Sequence, residues 1–117
     1  MLPDTARANG CTSEIKWENS IPPVINDEAT TRAGIAVATE LYGAESVRPN
    51  IDPFMSSEDF AEYQQLVPGT MMRVGVRDSE HTSSVHSTSF DFNDEVLPAA
   101  ATLLAAIALK RLEALAA

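Results

Sequence analysis

The sequence predicts an α/β fold in which helices pack against a sheet. Three observations carry that expectation. Glu14–Glu18 and Thr70–Val76 alternate apolar and polar residues with the period of two of a half-buried strand. Three other stretches, opening near Asn26, Ser56 and Asn93, space their apolar residues as one face of a helix. Hydrophobic residues make up 44% of the chain and charged residues 21%, a balance suited to a packed interior. At 117 residues the chain is one small domain or part of one.

Taken in order, roughly the first dozen residues are expected to be loose. Cys11 has no second cysteine to pair with and, in a segment read as a helix end before a strand, is taken for a packing residue. Ile15 and Trp17 then fall on one face of a strand, with Glu14, Lys16 and Glu18 on the other. Pro22-Pro23 ends it, because proline cannot donate to a ladder, and the step looks like a hinge or domain crossing. A helix follows with Asn26 as the capping acceptor and Asp27 and Glu28 at the positive end of its dipole. Ala33, Val37 and Leu41 form its expected face, and Gly43 closes it.

Arg48-Pro49 and Asp52-Pro53 predict a stiff connection. Ser56 and Asp59 have the spacing of a capping box for a helix whose face is Phe60, Tyr63 and Val67, stopped by Pro68-Gly69. In the next strand, Met72, Val74 and Val76 lie on one side. Arg77 to Ser89 is a polar loop carrying both histidines, His81 and His86. A last helix begins between Asn93 and Pro98 and runs to the end, with Thr102, Ala106, Lys110 and Glu113 as its polar stripe.

The formal net charge of −9 gives nucleic acid and anionic membrane surfaces no cationic partner, so neither is expected to bind. The longest apolar stretch, Ala99–Leu109, is too short to span a bilayer. Met1-Leu2-Pro3-Asp4 lacks the profile of a signal peptide, and the expected setting is cytoplasmic. Two strands separated by a Pro-Pro crossing cannot satisfy each other. A buried amide left unpaired costs roughly 1–3 kcal/mol. The missing strands must therefore come from a longer parent, from a separately supplied N-terminal half, or from a second copy of this chain in a non-catalytic self-associating module paired through the Ile15–Trp17 edge.

Chemistry concentrates in Val85-His86-Ser87-Thr88-Ser89-Phe90-Asp91-Phe92. A histidine between the apolar anchors Val85 and Phe90 can be fixed in direction, and a neutral imidazole binds Zn²⁺ and related divalent ions. An ordinary loop histidine fits the same pattern. His81, without anchors, is expected to be a plain loop residue. Glu58 and Asp59 are adjacent on a helix start and cannot face one substrate atom together. No Gly-x-Ser-x-Gly elbow, glycine-rich phosphate loop or Cys-x-x-Cys pair occurs.

The ordered blocks Asn26-Asp27, Met55-Ser56-Ser57-Glu58-Asp59-Phe60, Val67-Pro68-Gly69, Val85-His86-Ser87 and Phe90-Asp91-Phe92-Asn93-Asp94-Glu95 with Leu97-Pro98 resemble the C-terminal part of the M20 metallopeptidases. The branch they resemble holds hippurate hydrolases, N-acyl-amino-acid hydrolases and auxin-conjugate hydrolases. The resemblance implies a parent whose exopeptidase-like α/β catalytic domain holds two divalent metal ions, Mn, Zn or Co. An inserted small α+β lid domain in such a parent makes a homodimer contact.

Residues 1–25 would be the end of that dimerisation domain and residues 26–117 the C-terminal part of the catalytic domain. By the same likeness His86 is a metal ligand, and Ser57 and Glu58 help shape the substrate site. The general base and the other ligands have no counterpart here, so the chain alone is expected to be inactive toward N-acyl amino acids or small peptides. Ser56 stands where relatives often carry glycine, and Thr88-Ser89 where a proline commonly follows the His-Ser pair.

Overall fold

The computed structural model describes residues 1–18 and 21–116. Its elements are four helices, α1 (Leu2–Ala8), α2 (Glu28–Tyr42), α3 (Phe60–Gln64) and α4 (Leu97–Ala116), with 3-10 turns at Ala44–Ser46 and Asp94–Val96. The expected loose start is a helix: α1 is held by Asp4, which bonds the terminal ammonium at 3.1 Å and lies 3.9 Å from Arg7. Cys11 is exposed and not packed, its thiol 3.5 Å from the Asn9 carbonyl.

Helix α2 begins one residue later than the capping argument placed it. Asp27 is the cap, its carboxylate accepting from Thr30 N at 2.8 Å and Thr30 Oγ1 at 2.7 Å. These bonds, that of the Thr30 hydroxyl first, hold the Asp27 carboxyl below its ordinary value. Asn26 is instead turned across the fold. Its amide donates to Met71 O at 3.1 Å and its carbonyl accepts from Met71 N at 2.9 Å. Gln64 reinforces this crossing, accepting from Ile25 N at 3.0 Å and donating to Gly69 O at 3.0 Å, while Asp27 N donates to Gly69 O at 3.0 Å.

The buried face of α2 is Gly34, Val37 and Ala38, not Ala33, Val37 and Leu41. Ala33 is exposed and Leu41 is 40% exposed. Small residues win this face because α4 and Met72 press against it: a Cβ on Gly34 would lie 3.0 Å from Met72 Sδ and 3.8 Å from Ile107 Cδ1. Gly43, at φ 81°, ends the helix as expected.

The capping box at Ser56 does not form. Helix α3 starts at Phe60 with no side-chain cap, and Glu58 Oε1 accepts from Phe60 N at 3.4 Å. So short a helix docks through Ala61, which is 0% exposed, while Tyr63 and Val67 of the expected face turn to solvent. It ends at Gln64, capped by Gln65 and ahead of the expected Pro68-Gly69 stop, and the Phe60 ring packs so closely on Gly69 that a Cβ there would lie 3.1 Å from Phe60 Cζ.

Helix α4 lays Ala99, Ala100, Leu103, Ala106 and Ile107, all half-buried, along one side. Tyr42 Oη donates to Ala99 O at 2.7 Å and Lys110 lies 3.7 Å from Glu40, fixing this side against α2. Ala106 therefore belongs to the packed side rather than to a polar stripe. The opposite side, with Leu97, Leu104, Leu112 and Leu115, stays 52–73% exposed.

No strand forms among the described residues, so neither Ile15–Trp17 nor Thr70–Val76 takes the predicted ladder. A strand is a paired object, and the two segments find no partner here. The same deficit shows in the dimensions. The radius of gyration is 20.2 Å, against about 13 Å for a compact chain of this length. The accessible surface of 10062 Å² compares with roughly 6,200 Å² for a compact monomer of the same mass.

Candidate functional site

The loop carrying both histidines is closed at its base, where Asn93 N donates to Val76 O at 3.2 Å. Two small motifs shape it. In the first, the Asp78 carboxylate accepts from Glu80 N and His81 N, each at 2.8 Å, and meets His81 Nδ1 at 2.8 and 2.9 Å. The His81 amide, then its ring, hold the Asp78 carboxyl down at about 2. The Asp78 hydrogen bond in turn raises the His81 imidazole above its ordinary value. Arg77 braces the turn by donating to Thr82 O.

The second motif is the serine-rich turn around His86. Ser87 N donates to Ser84 O at 3.3 Å and Phe90 N to Ser87 O at 3.1 Å. The Ser89 hydroxyl lies 3.1 Å from that of Ser83 and 3.5 Å from that of Ser87. His86 adopts φ 64°, the left-handed region that costs a residue with a Cβ roughly 1–2 kcal/mol. Such strain persists only where surrounding bonds enforce it, and it collects at functional positions. The apolar clamp expected around His86 is absent: Val85 is 62% exposed, and Phe90 stacks on Phe92 at 6.3 Å instead. The backbone turn, not a hydrophobic grip, sets the direction of this histidine.

Ser57 is exposed and Glu58 half-buried. Among the described residues no hydrogen bond or ion pair joins either of them to the His86 loop. The Asp78–His81 pair was missed by sequence reasoning, although Asp-x-x-His spacing in a polar loop is a local signal for it. No group of three or more His, Cys, Asp or Glu able to hold a metal ion occurs among the described residues. One exposed imidazole does not make a metal site, so the residues present do not by themselves hold an ion. Among the same residues no helix is long and apolar enough to cross a membrane.

The His86 turn thus sits on a chain with little buried interior of its own. The profile of peptidase family M20/M25/M40 matches residues 6–110, and the chain belongs to that family. It is 37% identical over 113 residues to the IAA-amino acid hydrolase ILR1-like 5 of Arabidopsis thaliana, covering 92% of this chain and 26% of the relative. To the hippurate hydrolase of Campylobacter jejuni it is 34% identical over 110 residues, covering 92% and 27%. To the N-acetylcysteine deacetylase of Bacillus subtilis it is 32% identical over 108 residues, again covering 92% and 27%. The chain thus spans about a quarter of the length of these curated relatives. No solved structure matches it significantly.

Proposed function

We propose that this chain is the C-terminal part of a metal-dependent hydrolase cleaving the amide bond of N-acyl amino acids, and that alone it is inactive. The observation that carries the proposal is the match itself: nearly the whole chain aligns with a quarter of proteins named as amide hydrolases. The surface excess of roughly 3,900 Å² over a compact monomer supports the incompleteness. His86 would supply one imidazole ligand, its backbone set by the serine turn, with Ser57 and Glu58 toward the substrate. A bound divalent ion in the parent would lower the pKa of a water toward neutrality. Residues 1–25 would close an inserted dimerisation domain and residues 26–117 the catalytic α/β domain. That boundary is supported by the Ile25–Asp27 crossing, where bonding to the 64–71 turn begins. The uncovered side of α4 and the unpaired Thr70–Val76 would meet the N-terminal half.

The test is a chimera in which this chain replaces the matching quarter of the Campylobacter jejuni hippurate hydrolase. Purified with Mn²⁺, Zn²⁺ or Co²⁺, the chimera should hydrolyse N-benzoylglycine while the isolated chain does not. His86→Ala should lower the chimera's kcat/KM by at least 10²-fold, on the order seen when catalytic groups are removed. A folded chimera indifferent to that substitution sinks the assignment of His86, and turnover by the isolated chain sinks its incompleteness.

A further inference from the structure

We infer that Ser89 is a positioning residue for His86: its hydroxyl closes a bracket with Ser83 that holds the intervening turn in the backbone conformation from which the imidazole projects. Among the described residues His86 is the one non-glycine position with a positive φ. It is the third residue of a four-residue turn, Ser84 to Ser87, closed by the bond from Ser87 N to Ser84 O. A positive φ at that position marks a type II turn, where glycine or asparagine is the usual occupant. The closing bond is long, at 3.3 Å, and its surroundings are exposed. By itself it is a weak restraint on a residue that the left-handed region disfavours.

The added restraint comes from outside the turn. Ser83 and Ser89 stand at equal distance along the chain on either side of His86, and their hydroxyls meet at 3.1 Å. Ser83 is half-buried and forms the anchored end. The Ser89 hydroxyl also lies 3.5 Å from that of Ser87, and since a hydroxyl both donates and accepts, the two contacts can form together. The second turn, from Phe90 N to Ser87 O at 3.1 Å, brings Ser89 back toward Ser83. Joining these ends excludes the extended paths in which His86 would relax to negative φ. Ser89 therefore acts only through the His86 backbone. This role deepens the function proposed above and rests on it: a ligand imidazole must be presented in one direction, and a misplacement of about 1 Å can cost on the order of 10²-fold in rate.

The experiment reads the intraresidue NOE between the amide and α protons of His86 in the full chain, which is strong when φ is positive. Ser89→Ala should weaken it by about half or more. Ser89→Thr keeps the hydroxyl and should keep the NOE. Ser84→Ala removes a hydroxyl that makes no bond among the described residues and should leave the signal unchanged. In the hippurate hydrolase chimera, Ser89→Ala should lower kcat about three- to tenfold, the worth of one hydrogen bond, at unchanged KM, and Ser89→Thr should restore it. An NOE untouched by Ser89→Ala, an equal loss in Ser84→Ala, or an active chimera indifferent to Ser89→Ala would overturn the inference. The NOE needs neither metal nor turnover. An inactive chimera beside a Ser89-dependent NOE removes the hydrolase and keeps the bracket, whereas an active chimera beside an unchanged NOE does the reverse.

Discussion

The junction of α2, α4 and Met72 can be tested through Gly34, where two effects of opposite sign meet. Replacing a mid-helix glycine by alanine gains about 1 kcal/mol of helix propensity. The new Cβ lies 3.0 Å from Met72 Sδ, but a thioether end is flexible and moves aside cheaply. Gly34→Ala should therefore be neutral or stabilising by up to about 1 kcal/mol. Gly34→Val adds two methyl groups toward Met72 and toward Ile107, 3.8 Å from the Cβ, and overpacking of this kind costs about 1–3 kcal/mol. Met72→Ala alone should cost about 1–2 kcal/mol, below the roughly 2–5 kcal/mol of fully buried truncations because Met72 is half-buried. Combined, the two should cost less than their sum by about 0.5–1.5 kcal/mol, since valine fills the space that methionine leaves. Urea unfolding followed by helical circular dichroism gives all four corners of the cycle. Additivity within about 0.3 kcal/mol would refute the claim that Met72 defines the Gly34 gap.

Further expectations follow from the hydrogen bonds and from the loop. Tyr42→Phe deletes the bond to Ala99 O and should cost about 0.5–1.5 kcal/mol, read in the same unfolding assay. His86→Gly should stabilise the chain by up to about 1 kcal/mol, because glycine adopts φ 64° freely, whereas His86→Val should destabilise it; thermal unfolding decides. The Asp78–His81 pair has a defined pH window. Asp78 is depressed from 3.8 to about 2, so its contribution is complete above 3.8 and lost as pH falls through about 2. His81 is raised from 6.5, so its contribution is complete below 6.5 and lost as pH rises through the raised value. An NMR titration should place His81 above 6.5, and Asp78→Asn should return it toward 6.5.

Helix positions were legible in the sequence because their signals are local. Asp27-Glu28 acts through a carboxylate on the next amides and Gly43 through its own backbone, and both mark real boundaries of α2, whereas α3 ends at Gln64, ahead of Pro68-Gly69. Which side of a helix is buried depends on what comes to lie against it. Ala33, Val37 and Leu41 form a face as apolar as Gly34, Val37 and Ala38, and only the approach of α4 and Met72 decides between them. Strands are the extreme case, since period-two patterning in Thr70–Val76 states a readiness to pair and cannot supply the partner. Periodicity and spacing left His86 undecided between a plain loop residue and a ligand. The resemblance of whole blocks is what singles it out as a ligand candidate; the turn at φ 64° is a backbone feature that periodicity could not show.

The two bonds between Asn26 and Met71 carry a consequence for chemical ageing. A carboxamide offers a donor group at one end and an acceptor at the other, and Met71 presents the complementary carbonyl and amide at 3.1 and 2.9 Å. Hydrolysis of that carboxamide to a carboxylate, the spontaneous fate of asparagine over time, would keep the acceptor and turn the donor into a second acceptor facing an oxygen. The exchange is a single-atom change in a side chain, yet it would unfasten the crossing from the turn it is bound to. Asn26→Asp should therefore loosen the crossing at once, and mass spectrometry of stored protein shows whether deamidation reaches the same state.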